Sequence, residues 1–221
     1  MGIVNRILAW SYSRWRDYEQ CPLKAKYKHV DRLKEPANEA MERGTAIHLL
    51  AEHYAGGKLK RLPKELEKFK KEFAALKKMK PKLEEQWAFN SKWERVDWFS
   101  KEAWLRVKMD AAYMLNKFTA ELIDHKTGKF KEGEYEEQLE LYALAAFIIF
   151  PEAKQVVCRL WFLDSGDEVL RAFDRADWPN LEKTWQKRIK PMMMDKKFAP
   201  KPGNYCRWCA FSQSKGGKCK F

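Results

Sequence analysis

Between Ala103 and Lys126 the chain alternates in character twice, with only Asn116 and Lys117 between the two runs. In the first run, Ala103 to Leu115, Trp104, Arg106, Lys108 and Asp110 fall on one side. Leu105, Val107, Met109 and Ala111 fall on the other, the period of two that a pleated strand imposes. In the second, Phe118 to Lys126, Thr119, Glu121, Ile123 and His125 alternate with Ala120, Leu122, Asp124 and Lys126. Two strands joined by so short a link return antiparallel, as a hairpin. After Gly133 the pattern changes to a helix from Glu134 to about Phe150, ended by Pro151. Lys154 to Leu163 is again strand-like, then Asp164-Ser165-Gly166-Asp167 turns into a further strand, Val169 to Phe173. A helix placed between strands is a crossover. The order therefore predicts an α/β chain with a mixed central sheet flanked by helices.

The remaining segments supply the flanking helices. Ser11 to Gln20 reads as a short helix capped by Ser11 or Ser13, and Pro22 after Cys21 interrupts it. Tyr27 to Leu33 has no decisive period. Glu39 to Tyr54 is helical and ends at Gly56-Gly57. From Pro63 to Met79, Leu66, Phe69, Phe73 and Leu76 form an apolar stripe at spacings of three and four, with lysines on the other faces. Leu83 to Ser91 alternates loosely as another strand. Asp177 caps a last helix from Trp178 to about Lys190. The tail, Phe198 to Phe221, has neither period, so something other than a core must order it. At 221 residues the chain fits one domain. It divides into a helical part (1–80), a sheet with its crossover helix (83–175, helix 134–150) and a C-terminal helix with a cysteine-rich tail (177–221).

Composition narrows the partner. Lys and Arg number 44 against 31 Asp and Glu, a net charge of +13. Such an excess favours a polyanion, and 14% aromatic residues suit stacking on unpaired bases. No apolar run reaches the roughly 18 residues a membrane helix needs. The opening MGIVNRILAW turns polar too early for a secretory signal, and Arg6 stands where myristoylation of Gly2 requires Ser or Thr. The expected compartment is the cytosol, where five cysteines argue against a disulfide framework.

The acids suggest the chemistry. Asp124 and Lys126 share a strand face with about 7 Å between their Cα atoms. Glu85 points the same way as apolar Leu83, Trp87 and Phe89, a costly placement for a carboxylate without a cation or a partner. A one-residue change of register would exchange it for Glu84. Carboxylates at Glu85, Asp110 and Asp124 suit Mg²⁺ or Mn²⁺, and the backbone carbonyl of His125 can add a ligand. Lys126 can position a water or neutralise a phosphate. Such a set is what phosphodiester hydrolysis needs.

The ordered set of His48 in Gly44-Thr45-Ala46-Ile47-His48, then Asp110, then Asp124-His125-Lys126, then Gln138-x-x-x-Tyr142 resembles the PD-(D/E)xK nuclease superfamily, in its RecB-like branch. The resemblance spans most of the chain. It implies a restriction-endonuclease-like core and a Mg²⁺- or Mn²⁺-dependent cut of DNA. It also implies metal ligation by His48 and roles for Gln138 and Tyr142 near the active site. Cys206-x₂-Cys209-x₉-Cys219, together with Cys21, is similar to the iron–sulfur staple of a subset of these nucleases, which includes the CRISPR-associated adaptation nucleases and AddB-type subunits. That implies a [4Fe–4S] cluster joining the termini; four thiolates equally satisfy Zn²⁺. Cys158 reads as a core thiol. The expected role is a DNA exonuclease in recombination, repair or phage DNA processing. The chain carries no helicase motif, so any helicase or recombination partner is a separate protein. The alternative is a catalytically silent nucleic-acid-binding protein that keeps the fold.

Overall fold

The computed structural model describes residues 5–36 and 38–221. Residues 1–4, with Gly2, lie outside that description. The chain forms two compact units, one of Met1–Ala37 and Lys183–Phe221, the other of Asn38–Glu182. Its helices are α1 (Tyr12–Gln20), α2 (Pro22–His29), α3 (Glu39–Ala55), α4 (Lys70–Lys78), α5 (Glu136–Ile149) and α6 (Trp178–Met194). Its strands are β1 (Lys82–Phe89), β2 (Arg95–Val96), β3 (Leu105–Asn116), β4 (Thr119–Lys126), β5 (Gln155–Phe162) and β6 (Glu168–Asp174).

The larger unit holds a six-stranded sheet in the order β2-β1-β3-β4-β5-β6. Only β4 and β5 run parallel; α5 is the crossover between them. This is the mixed sheet flanked by helices that the alternation and the intervening helix imply. One face packs under α3, the 3₁₀ segment Lys64–Phe69 and α4. Leu66, Phe69, Phe73 and Leu76 are buried there against Ala111, Ile123 and Trp161. Truncating such a side chain, Phe73 for example, costs about 3–5 kcal/mol. The stripe was expected on one helix, but its first part is a tighter 3₁₀ turn after Pro63. The helix α5 is buried along nearly its whole length, from Gln138 to Phe147. Among the described residues, no helix is long and apolar enough to cross a membrane.

In the smaller unit, Ser11 caps α1 by accepting from the N–H of Arg14 at 3.4 Å. Pro22, expected to break structure, instead occupies the first turn of α2. There its missing N–H has no helical partner to lose, and its fixed φ suits the helix start. Trp10, Trp15 and Trp185 pack together, with Trp10 and Trp185 stacked at 5.4 Å. The tail folds into two short 3₁₀ segments, Asn204–Trp208 and Gln213–Lys215, closed by a bridge between Ser212 and Cys219.

Candidate active site

The site forms where the hairpin opens. The β3–β4 ladder runs from Asn116↔Thr119 to Ala111↔Ile123 and stops there. Beyond it β3 stays paired with β1 and β4 with β5. Asp110 and Asp124 are the next residues on the two strands, so both acids sit at the fork. The main-chain N–H of His125 donates to Asp110 Oδ2 at 2.6 Å. Asp110 and Asp124 are both buried.

His48 reaches Asp110 from α3, with Nδ1 3.2 Å from Oδ1. His125 Nδ1 lies 3.5 Å from Asp110 Oδ2. The His125 ring is packed against Phe73 and Trp161 at centroid distances of 5.2 Å and 5.7 Å. It is 3% exposed, and its Nε2 has no hydrogen-bond partner. Ligand atoms of His48, Asp110 and His125 all lie within 4.8 Å of one another. One cation about 2.1 Å from each ligand spans at most about 4.2 Å, so the three groups would draw in slightly on binding it. Two imidazoles and a carboxylate, one imidazole nitrogen left orphaned, fit a divalent cation.

Asp124 belongs to a second chain of contacts. Lys126 Nζ lies 2.7 Å from its Oδ2. Tyr142 on α5 donates its hydroxyl to Asp124 Oδ1 at 2.8 Å, and Gln138 donates to Tyr142 at 2.5 Å. The spacing of four on α5 puts Gln138 and Tyr142 in line. The relay holds Asp124 in one orientation while Lys126 keeps part of its side chain in solvent.

The charges around the fork reinforce one another. Burial drives Asp110 toward its neutral form. The His48 hydrogen bond and charge, with the His125 N–H, outweigh it and keep Asp110 below the usual carboxylate range. The Asp110 hydrogen bond in turn raises His48, with Asp124 and Glu84 adding to the pull. Burial lowers His125, which favours the neutral, ligand-competent imidazole. Burial and Asp124 push Tyr142 well above its ordinary value, so it remains a donor.

The structure places Glu85 away from this set: it accepts from Trp87 Nε1 at 3.1 Å. The pairs Leu83↔Ala111 and Glu85↔Met109 leave Glu84 opposite Asp110. Glu84 has a left-handed φ of 52° and an ion pair with Lys108 at 2.5 Å. The fork-facing acid of β1 is thus Glu84. The parity of Asp110 on β3, once the register is known, is the signal for it. The sequence points only to the carbonyl of His125; its ring joins the site as well.

The loop after Lys126 is tied down. Asp164 accepts from Arg43 at 2.9 Å and from the N–H of Gly128 at 2.7 Å. Gly128 has φ +105°, a backbone that favours glycine.

A profile of the PD-(D/E)XK nuclease superfamily matches residues 9–214. The chain belongs to that superfamily. Membership makes it a nuclease, a phosphodiester hydrolase of a family that uses divalent metals, with DNA the substrate its fold implies. The crystal structure of a protein named "Putative exonuclease" from Eubacterium rectale is similar over 91% of this chain and 87% of that one. Its TM-score is 0.52 at 13% identity, which shows a shared fold. The crystal structure of SSO0001 aligns over 93% of this chain and 85% of that one, with TM-score 0.48 and 15% identity. No curated protein matches.

In the smaller unit of this nuclease, Cys21, Cys206, Cys209 and Cys219 line one cavity with Tyr27 and Phe211. Lys201 N–H donates to Cys21 Sγ and Gly203 N–H to Cys206 Sγ, each at 3.4 Å. Among the described residues, only the His48–Asp110–His125 group has three such ligand atoms within 4.8 Å. These four cysteines border one cavity, and no three of their sulfurs form such a group. Cys158 is fully buried in β5, and burial raises its thiol pKa, which suits an inert core residue.

Proposed function

We propose that this nuclease is an exonuclease that hydrolyses DNA phosphodiesters at the β3–β4 fork, with Mn²⁺ or Mg²⁺ held by Asp110, His48 and His125, and Asp124 completing the site. The observation that carries the reading is a buried carboxylate, Asp124, ion-paired to a partly solvent-reaching Lys126 beside a His–Asp–His ligand set. A divalent cation bound there would supply an activated water and offset charge on the phosphate. Lys126, ion-paired to Asp124 and partly in solvent, is placed to meet charge developing on the phosphate. Tyr142 and Gln138 fix Asp124. Glu84 and Lys108 flank the fork on the β1 side.

A [4Fe–4S] cluster bound by Cys21, Cys206, Cys209 and Cys219 accompanies this proposal. It is supported by four thiols on one cavity, two of them already accepting N–H donors. The likeness of Cys206-x₂-Cys209-x₉-Cys219 and Cys21 to the iron–sulfur staple of related nucleases favours a cluster over Zn²⁺. Iron, sulfide and zinc content of anaerobically purified protein decides between them. Action in recombination, repair or phage DNA processing, with ends supplied by a separate helicase, extends the same reading.

The test is degradation of end-labelled single- and double-stranded linear DNA, against a circular control, in Mn²⁺, Mg²⁺ or chelator. Loss of the linear substrates only, in metal only, is expected. Cutting of circles would overturn the exonuclease reading. DNA binding without cleavage in any metal would instead favour a silent protein that keeps the fold.

A further inference from the structure

From Lys196 to Phe221 the chain carries seven basic residues and no acidic one. This local excess is far steeper than that of the whole chain. Two of the most exposed large aromatics of the described residues lie in the same segment, Tyr205 at 63% and Trp208 at 64%. They occupy the 3₁₀ segment Asn204–Trp208. A 3₁₀ helix has three residues per turn, so positions three apart eclipse, about 6 Å apart along the axis. Tyr205 and Trp208 thus lie one turn apart, and Tyr205 also borders the cysteine-lined cavity. Their separation is near twice the roughly 3.4 Å rise between stacked bases, room for a base between or beside the rings. Arg207 lies over the Trp208 ring at 3.6 Å, adding a cation at the edge of the platform. The segment is held by Cys206 N–H to Gly203 and Cys209 N–H to Cys206, at 2.9 Å and 3.1 Å.

We infer that Tyr205, Trp208 and Arg207 form a stacking platform for unpaired DNA, a binding site separate from the residues that cut. Aromatic faces accept any base, and the lysines of the tail, with no carboxylate among them, attract the phosphates. Duplex DNA keeps its bases stacked inside and offers these rings nothing. An acidic peptide would use the charge but not the rings.

The test measures binding without cutting. An Asp124→Ala background and no added divalent cation keep the DNA intact. Anisotropy of labelled oligo-dT and of a duplex of equal length is compared for Tyr205→Ala, Trp208→Leu and Trp208→Phe. Single-strand affinity is expected to fall about tenfold or more for the first two, with Trp208→Phe recovering most of it. Duplex affinity should change less than about twofold. Trp208→Leu keeps apolar bulk without a ring, so a folded variant is available if the alanine change disturbs the tail. Arg207→Gln should flatten the salt dependence of single-strand binding by about 0.7 in log–log slope. Equal losses on both substrates, no loss on either, or equal competition by polyglutamate would overturn the platform. A protein that cuts normally while these variants bind normally loses this inference alone.

Discussion

His125, two residues past the last β3–β4 pair, donates its main-chain N–H at 2.6 Å to Oδ2 of Asp110, one residue past it on the other strand. The bond bridges the two acid-bearing strands after their ladder has ended. It replaces a ladder contact with a carboxylate contact and fixes the Asp110 side chain at the fork.

Asp110→Asn keeps the shape and loses the charge. Mn²⁺ affinity, read by titration calorimetry, should fall about 100-fold, with thermal stability changed by less than about 2 kcal/mol. Unchanged affinity would remove Asp110 from the metal site.

Two imidazoles beside one carboxylate make the site softer than an all-oxygen cage. Mn²⁺ and Co²⁺ should therefore support cleavage at lower total concentration than Mg²⁺. His48→Ala should narrow that difference as well as weaken binding. A variant with the same metal preference as the parent would place His48 outside the ligand set.

Tyr142→Phe removes only the hydroxyl between Gln138 and Asp124. It should cost about tenfold in turnover, with little change in DNA affinity. Gln138→Ala, one bond further from Asp124, should cost less. The reverse order would contradict the relay.

Acid stability should follow Asp17 in the smaller unit. Burial pushes Asp17 up, but hydrogen bonds from His29 and Lys24 and the charges of Lys24 and Lys28 hold it well below the usual carboxylate range. A carboxyl depressed in the folded state contributes stability above its unfolded pKa of about 3.9, and that contribution is lost as pH falls further. Asp17→Asn should lower stability by about 2 kcal/mol at neutral pH. Its urea midpoint should then decline less than wild type between about pH 5 and pH 3. Parallel declines would argue that Asp17 does not control the acid limb.

Gly217 packs on the main chain of Phe211: a Cβ there would lie 2.2 Å from the Phe211 carbonyl. Gly217→Ala must therefore shift backbone, and the Cys219 N–H bond to Phe211, 2.8 Å long, goes with it. Faster proteolysis within residues 203–221 is expected, with the melting of the larger unit unchanged. A tail as resistant as the parent's would contradict this packing.

How much was legible follows from what was periodic. The hairpin, the crossover helix and the shared face of Asp124 and Lys126 are written in periods of two and near four. They fixed the mixed sheet and which residues could meet. Glu84 could be named only as the alternative to Glu85, because parity on β1 means nothing until the register with β3 is set. The His125 side chain was hidden because alternation places it on the face opposite Asp124, and only the opening of the ladder brings it toward Asp110. The helix α2 was hidden by Pro22, which at a first turn starts a helix with the same ring that would break its middle. The strand β2, two residues long, has no room to show a period.

The central claim is that cleavage depends on the fork acids. The most direct measurement is single-turnover degradation of labelled linear DNA in Mn²⁺ by the parent chain and by Asp124→Asn, with DNA affinity measured for both. Parent cleavage with a loss of about 100-fold or more in the variant, at equal affinity, is predicted. Equal rates would contradict the account.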